Sequence, residues 1–208
     1  MNDNKATVYV IDDDQSMRES LQRMIQLSGF NVFVFESANS FLSQAEIHHN
    51  SCLVLDVLLP DIDGISFQEL LIKKEGITIP IIFISGHGDI PMSVKAMKNG
   101  AVDFLTKPFE GKDLIDAIIR AVEQDKQNSE RELEKDRISN LYNTLTKREK
   151  EVLRWVIAGK LNKQTAGELG IAEKTVKVHR GRVMNKMEVS SLADLIHITA
   201  LIETNPPE

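Results

Sequence analysis

The stretch Pro80-Ile81-Ile82-Phe83-Ile84-Ser85 is apolar at every position up to its final serine. A strand with one solvated face alternates apolar and polar residues, so a run without alternation indicates a strand that is covered on both faces. Such strands belong to parallel sheets with helices on each side. The stretch therefore predicts a doubly wound α/β domain.

Four further segments have the composition of short strands, and helix-length amphipathic segments separate them. The strand candidates are residues 7–11, 31–35, 52–56 and 102–106. The helix candidates are residues 16–28, 37–44, 66–74, 90–98 and a last helix from residue 112 onward. We therefore expect a doubly wound, five-stranded parallel sheet with five flanking helices.

From residue 145 onward the strand pattern disappears, and a small all-α domain of four helices is predicted. The start and stop signals are the capping boxes Thr146-x-x-Glu149 and Ser191-x-x-Asp194, the cap Asn162, and the helix ends Gly159 and Gly170. The second and third helices, residues 163–169 and 173–187, are joined by a three-residue turn. This arrangement is typical of a helix-turn-helix, whose second helix can lie in the major groove of DNA.

Composition and charge describe a folded chain with two different ends. The sequence has 208 residues, 42% of them hydrophobic, which excludes a disordered chain. Residues 1–125 carry a net charge of −9 and residues 144–208 a net charge of +3. The segment between them has equal numbers of acidic and basic residues and no Pro or Gly, which is typical of a solvated helical connector. We expect domains at residues 1–123 and 144–208, with a helical linker at 124–143.

No apolar run is long enough for a membrane span, and the N-terminus lacks the apolar region of a secretion signal, so we expect a cytoplasmic protein without a membrane partner. Cys52 is the only cysteine, which excludes a disulfide framework and a thiolate metal site. We expect Cys52 to be a core residue.

Charged residues follow three of the predicted strands, at the ends where doubly wound sheets bind ligands. Asp12 and Asp13 follow the first strand, Asp56 ends the third, and Lys107 follows the fifth. Carboxylates that crowd together repel one another unless a hard cation such as Mg²⁺ lies among them, and a lysine opposite offers a charge for a phosphoryl oxygen. The alternative is that these aspartates only cap the helices that follow them, a role that we expect for Asp14.

Four segments resemble the motifs of two-component receiver domains, which have a flavodoxin-like fold. They are Val10-Ile11-Asp12-Asp13-Asp14, Leu55-Asp56-Val57-Leu58-Leu59-Pro60, Ser85-Gly86-His87-Gly88-Asp89 and Phe104-Leu105-Thr106-Lys107-Pro108-Phe109. The resemblance covers residues 7–122.

This resemblance implies a role for each residue at the strand ends. Asp56 would accept a phosphoryl group from a partner histidine kinase. Mg²⁺ would be held by Asp13, Asp56 and the backbone carbonyl of Leu58, with Asp12 holding a metal-bound water. Lys107 would contact the phosphate. In-line phosphoryl transfer needs a nucleophile, positioning and charge neutralisation, and this set supplies all three.

The resemblance also implies a conformational switch. Ser85 would turn toward the phosphoryl group and donate a hydrogen bond, and Phe104 would rotate inward, stabilised by packing because it has no hydroxyl. Without the resemblance, Ser85 is a residue at the end of a strand and Phe104 is a core residue. The Lys107-Pro108 bond is cis in the family, and Leu58 and His87 lie at positions where its members vary.

Five basic residues and no acidic ones lie between positions 174 and 186, although the chain as a whole is acidic: Lys174, Lys177, Arg180, Arg182 and Lys186. A charge run is often only a solvated helix face, but the preceding helix and turn favour contact with DNA phosphates. Helical spacing directs three apolar residues of this helix to the core, namely Val176, Val183 and Met184.

Residues 145–202 resemble the LuxR-type DNA-binding domain through four segments. They are Leu145-Thr146-Lys147-Arg148-Glu149-Lys150-Glu151-Val152-Leu153, Asn162-Lys163-Gln164, Leu169-Gly170-Ile171-Ala172-Glu173-Lys174-Thr175-Val176-Lys177-Val178-His179-Arg180, and Lys186-Met187. The resemblance implies that Lys177 and Val178 reach base edges. The other implied DNA contacts are Lys174, Thr175, His179, Arg180, Arg182 and Lys186. Gly181 departs from what the helix favours, at a cost of about 1 kcal/mol relative to Ala, and lacks the basic side chain that some members use for a base contact.

With Gly-His-Gly-Asp-Ile-Pro-Met-Ser-Val at residues 86–94, the chain as a whole resembles FixJ-type response regulators. The resemblance implies a phosphorylation-switched activator that dimerises, binds promoter double-stranded DNA and acts on RNA polymerase. On this resemblance, the chain would accept a phosphoryl group and would not be a turnover enzyme.

Three alternatives remain open at the level of sequence. The first is a Mg²⁺-dependent phosphotransfer enzyme or phosphatase, although the sequence shows no second general acid. The second is a DNA-binding protein whose N-terminal domain oligomerises without phosphate. The third is RNA binding, which is disfavoured because no aromatic stacking platform lies near the basic helix.

Overall fold

In a computed structural model of the chain, residues 5–86 and 90–202 are described, with Lys74 and Glu75 described by their backbone alone. The chain divides into two compact units after Ser129. This division lies inside the segment predicted as a linker, residues 124–143.

The first unit contains a sheet of five parallel strands in the order β2-β1-β3-β4-β5. The strands are β1 (Thr7–Ile11), β2 (Asn31–Phe35), β3 (Ser51–Asp56), β4 (Ile81–Ser85) and β5 (Asp103–Thr106). β1, β3 and β4 are buried along their whole length, as their uninterrupted apolar runs predict. The predicted fold class is confirmed.

Five helices connect and cover these strands. They are α1 (Gln15–Leu27), α2 (Ala38–Gln44), α3 (Gly64–Leu70, continued by a π-helical turn at Leu71–Glu75), α4 (Ile90–Lys98) and α5 (Gly111–Asn143). The side chains of neighbouring residues cap the first turns of three of these helices. Asp14 accepts hydrogen bonds from the Ser16 and Met17 amides, Ser37 caps α2, and Asp63 caps α3.

The sheet has a hydrophobic core on each face, so the fold is doubly wound. On one face Phe83 packs with α2, α3 and α4 through Phe41, Phe67 and Ala96. The other core contains Cys52 of β3 and the apolar residues of α1 and α5: Leu21, Ile25, Leu114, Ala117, Ile118 and Ala121. Burial raises the pKa of the Cys52 thiol. In the part of the chain that the structure describes, no helix is long and apolar enough to cross a membrane.

Helix α5 is continuous for 33 residues and contributes to the cores of both units. Leu114 and Ile118 belong to the first unit, whereas Ile138 is fully buried in the second. The second half of the predicted linker therefore supplies a core residue to the C-terminal unit.

Four further helices complete the second unit: α6 (Lys147–Ile157), α7 (Asn162–Leu169), α8 (Glu173–Lys186) and α9 (Leu192–Thr199), which ends in a 3-10 turn at Ala200–Ile202. The capping boxes predicted at Thr146 and Ser191 are present. Gly170 ends α7 with φ +64°, a left-handed conformation that glycine adopts without strain. Val176 and Val183 are buried, and Met184 packs against the same core.

One predicted cap was wrong. Asn162 is the first residue of α7 and not its cap, a position that Leu161 occupies. Leucine has no side-chain oxygen to accept a hydrogen bond from the helix amides. Instead, Gln164 reaches back and accepts a hydrogen bond from the Leu161 amide at 2.9 Å.

Candidate functional site

Three carboxylates meet at the carboxyl edge of the sheet. Asp12 directly follows β1, Asp13 is next to it, and Asp56 is the last residue of β3. The strands are adjacent and parallel with Ile11 beside Leu55, so their ends lie side by side. Each aspartate offers an oxygen within 4.8 Å of those of the other two. Asp12 and Asp56 are buried, and Asp13 is exposed.

Lys107 joins this cluster from the end of β5. Its ammonium lies 2.7 Å from Asp12 Oδ2 and 2.6 Å from Asp56 Oδ2. Its backbone amide donates to the carbonyl of Ser85 at 2.7 Å, which fixes the start of the loop that carries it. The bond from Lys107 to Pro108 is cis. The structure therefore brings together the four residues that the sequence placed at one sheet edge.

Backbone amides hold the remaining oxygens of the two buried carboxylates. Asp56 Oδ1 accepts a hydrogen bond from the Leu58 amide at 2.9 Å, and Asp12 Oδ1 accepts one from the Asp14 amide at 2.9 Å. These bonds, with those from Lys107, fix both carboxylates in place. The capping alternative is correct for Asp14, which accepts bonds from the first amides of α1.

The charges at this edge alter one another's proton affinity. Burial raises the pKa of Asp12 despite the opposing hydrogen bond from Lys107. For Lys107, burial alone would lower the pKa, but the hydrogen bonds to Asp12 and Asp56 outweigh it and raise the pKa. Lys107 therefore stays a cation.

The donor set fits a hard divalent cation. Three carboxylates offer oxygen ligands, and the exposure of Asp13 leaves the cluster open to solvent on one side. Mg²⁺ in proteins keeps several waters and takes one or two carboxylates together with phosphate oxygens. One lysine paired with two of three carboxylates leaves negative charge, which such a cation would neutralise when bound.

Two residues near this site were not singled out from the sequence. The Arg18 guanidinium donates to the backbone carbonyl of Asp12 at 2.7 Å, which ties α1 to the end of β1. A Cβ atom at Gly64 would lie 2.6 Å from the carbonyl oxygen of Asp56, so α3 approaches the site too closely for any side chain there. Both contacts form only when the chain is folded. The one sign of them in the sequence is that Arg18 lies one turn into α1, from where its side chain can extend back to the end of β1.

Ser85 and Phe104 lie on the neighbouring strands. Ser85 ends β4, is fully buried, and lies beside Thr106 of β5. Phe104 is half-buried, and its ring centroid is 6.2 Å from that of Phe83. His87, named above as a position that varies in the family, lies outside the described residues.

The second candidate site is the outward face of α8. Five of the residues predicted to contact DNA are exposed there: Lys174, Thr175, Lys177, Val178 and Arg182. No acidic residue interrupts this face between positions 174 and 186. Asn185 is also exposed on this face and was not predicted from the sequence, because it carries no charge and lies outside the segments that resemble the LuxR-type domain.

Three of the predicted DNA-contacting residues have other surroundings. Arg180 is half-buried and donates to the Asn162 side chain at 3.3 Å, while His179 is half-buried with its Nδ1 atom unpaired among the described residues. The Lys186 ammonium lies 2.7 Å from Glu149 and donates to the Thr144 carbonyl at 2.9 Å. The structure therefore places Lys186 in an internal ion pair and not with the exposed basic residues.

Two family models match the chain. Residues 8–119 match the response regulator receiver domain, and residues 143–199 match the bacterial regulatory proteins of the luxR family. The first match contains the carboxylate cluster and Lys107, and the second contains α8.

Relatives resemble the chain over almost its whole length. Nodulation protein W of Bradyrhizobium diazoefficiens is 49% identical over 94% of this chain and 86% of the relative. Transcriptional regulatory protein FixJ of Rhizobium meliloti is 42% identical over 92% of this chain and 94% of the relative. The solved structure of response regulator StyR has a TM-score of 0.79 and 47% identity, and covers 94% of this chain and 98% of that chain.

Proposed function

The chain belongs to the response regulators that join a receiver domain to a luxR-type DNA-binding domain, and we propose that it is a transcription activator switched by phosphorylation of Asp56. The observation that carries this proposal is the environment of Asp56. It is buried at a sheet edge beside two other carboxylates and paired with Lys107 at 2.6 Å.

The proposed reaction is phosphoryl transfer from a phosphohistidine of a partner kinase. A carboxylate oxygen of Asp56 attacks the phosphorus, the phosphorus–nitrogen bond breaks, and an acyl phosphate forms. Bonds from Lys107 and the Leu58 amide orient the carboxylate, and the Lys107 ammonium then neutralises a phosphoryl oxygen. The chain takes up the group once per signal and is not a turnover enzyme.

The cation that we propose for this site is Mg²⁺. Asp13, Asp56 and the Leu58 carbonyl would hold it directly, and Asp12 would hold it through a water. When bound, it neutralises the carboxylates and the incoming phosphoryl oxygens.

The proposed switch begins at Ser85, which donates a hydrogen bond to the new phosphoryl group, while Phe104 rotates toward the core. These movements would repack the surface around α4 and β5. Three apolar side chains of α4 are exposed there, Ile90 by 80%, Val94 by 44% and Met97 by 46%. A second copy of the chain would cover them, so we propose a homodimer as the active form.

The proposed output is sequence-specific binding to promoter double-stranded DNA in the cytoplasm, followed by activation of RNA polymerase. A dimer presents two α8 helices to two half-sites. Lys177 and Val178 would reach base edges, and the other exposed basic residues would contact phosphates. His179 and Arg180 would contact DNA from the side of the helix. Lys186 would support DNA binding mainly by holding α8 in place through its bond to Glu149.

The test is sedimentation of the full-length protein with Mg²⁺, with and without beryllofluoride, a stable mimic of the phosphoryl group. We expect the wild type to shift from monomer to dimer and Asp56→Asn to stay monomeric. The control is Asp136→Asn, which removes an exposed carboxylate from α5 and should shift as the wild type does. Identical behaviour of the wild type and Asp56→Asn would contradict the proposal and favour a DNA-binding protein that works without phosphate.

A further inference from the structure

Gly181 is the ninth of the fourteen residues of α8, well inside the helix. Glycine is less favourable than alanine at such a position because it loses more backbone freedom on folding. A fold requires glycine where φ is positive or where a neighbour leaves no room for a side chain.

Neither reason applies to Gly181. Its φ is not positive, and a Cβ atom there would have no described atom of other elements within 4 Å. Gly64 shows the contrast, because a Cβ atom there would lie 2.6 Å from the backbone of β3. The fold of the second unit does not require glycine at position 181.

The position of Gly181 on the helix indicates another reason. Helical spacing puts it on the same face as Lys174, Lys177, Val178 and Asn185, all of which are exposed. The gap left by the missing side chain therefore lies in the middle of the surface that we propose faces DNA.

We propose that Gly181 is a specificity-determining residue, whose bare backbone lets α8 approach a thymine methyl group closely in the major groove. This inference rests on the proposed function of α8. A thymine presents its methyl group in the major groove, where apolar protein groups can read it. Val178, with 48% of its surface exposed, forms an apolar wall one turn before the gap. Helical spacing places Val178 and Gly181 between the exposed residues Lys177 and Arg182, and we call the space over Gly181 beside Val178 the recess.

The test starts by selecting the preferred site from random double-stranded DNA with the full-length wild type, Mg²⁺ and beryllofluoride. Each thymine of that site is then replaced by uracil, which removes only the methyl group. We expect one thymine in each half-site at which the replacement weakens wild-type binding about fourfold, the effect of one buried methyl-sized group. Gly181→Ala should lose sensitivity at that thymine, because its own methyl group fills the recess.

Gly167→Ala is the matched control. Gly167 is also exposed inside a helix, α7, with φ not positive and no described atom of other elements within 4 Å of a Cβ atom. Both substitutions should raise the melting temperature of the second unit by roughly 4 °C, since alanine favours helix. Gly167→Ala should keep the wild-type response to uracil.

The outcomes separate the two proposals. If Gly181→Ala keeps the wild-type response to uracil, or if no thymine responds in the wild type, the role of Gly181 is refuted while DNA binding stands. If the wild type enriches no sequence at all, sequence-specific binding and the role of Gly181 both fail.

Discussion

Gly64 shows how closely α3 packs against the backbone of the carboxylate site. Its amide donates to the Val57 carbonyl at 2.8 Å, and a Cβ atom would overlap the carbonyl oxygen of Asp56. The obstacle is backbone of β3, which has no flexible end that can move away. Any side chain at position 64 must therefore displace either α3 or the loop that follows Asp56.

We predict that Gly64→Ala destabilises the first unit by about 1–3 kcal/mol, the usual cost of overpacking, as measured by urea unfolding. It should also slow the uptake of a phosphoryl group from acetyl phosphate, because Asp56 moves relative to Lys107. Gly167→Ala, where the added methyl group has space, should change neither property of the first unit. An unchanged uptake rate in Gly64→Ala would show that this close contact does not position Asp56.

The residues of the candidate site could be predicted only in part. Asp12, Asp13, Asp56 and Lys107 were found because each stands at the end of a strand, and the order of a doubly wound sheet brings such ends together. The ion pair of Lys186 could not be predicted, since its partner Glu149 is 37 residues away and meets it only when α6 packs on α8.

That ion pair joins α6 to α8 and also completes the cap of α6. Glu149 is almost fully buried, accepts a bond from the Thr146 amide at 2.9 Å, and pairs with Lys186 at 2.7 Å. We predict that Glu149→Gln lowers the free energy of unfolding of the second unit by about 1–2 kcal/mol at neutral pH, measured by urea unfolding. Glu134→Gln, which weakens the exposed pair with Arg137, should have little effect.

The same contacts make the stabilisation of the second unit by Glu149 depend on pH. Burial alone would raise the pKa of Glu149, but the bonds from Lys186 and Thr146 outweigh it and hold the pKa below its usual value of 4.5. A group whose pKa is lower in the folded state stabilises the fold above its unfolded pKa. We therefore predict that the difference between the wild type and Glu149→Gln is constant above about pH 5 and shrinks as the pH falls below 4.5. A difference that grows with acid would contradict this assignment.

At the scale of elements, the central strands β1, β3 and β4 were predicted closely because burial on both faces leaves a plain apolar signal. β1 and β2 have the predicted bounds, β4 covers residues 81–85 of the stretch that predicted it, and β3 and β5 differ by one residue at their first position. Helix ends were less predictable. α3 starts at Gly64, two residues early, because Asp63 caps it, and it ends in a π-helical turn at Leu71–Glu75 that no local pattern indicates.

At the scale of the whole molecule, α5 supplies core residues to both units. Ile138 is fully buried in the second unit, whereas Leu133 of the same helix is 67% exposed. We predict that Ile138→Ala destabilises the second unit by about 2–5 kcal/mol, and that Leu133→Ala changes it by less than about 0.5 kcal/mol, both by urea unfolding. If Ile138→Ala destabilised the second unit as little as Leu133→Ala does, residues 130–143 would be a solvated connector, as the sequence alone indicates.

The uneven charge of the molecule predicts how salt affects binding. The receiver half carries the excess of acidic residues, so we expect attraction to DNA phosphates to come from the basic C-terminal unit, with Arg182 on the exposed face of α8 contributing to it. We predict that Arg182→Ala weakens binding to all DNA sequences by a similar factor and lowers the slope of log K against log salt by about 1.

Lys135→Ala, an exposed charge on α5, serves as the control in the same titration and should leave the slope unchanged. If Arg182→Ala instead relaxed the preference at a single base pair, Arg182 would be reading a base and not a phosphate.

The lone cysteine gives the molecule a built-in reporter. Cys52 is fully buried in β3, and β3 also carries Asp56. A thiol reagent can reach Cys52 only when the receiver core opens, so its labelling rate measures how often that strand is released. Comparing this rate with and without a phosphoryl mimic would measure how signalling tightens the receiver core, in the unaltered protein and without any attached dye.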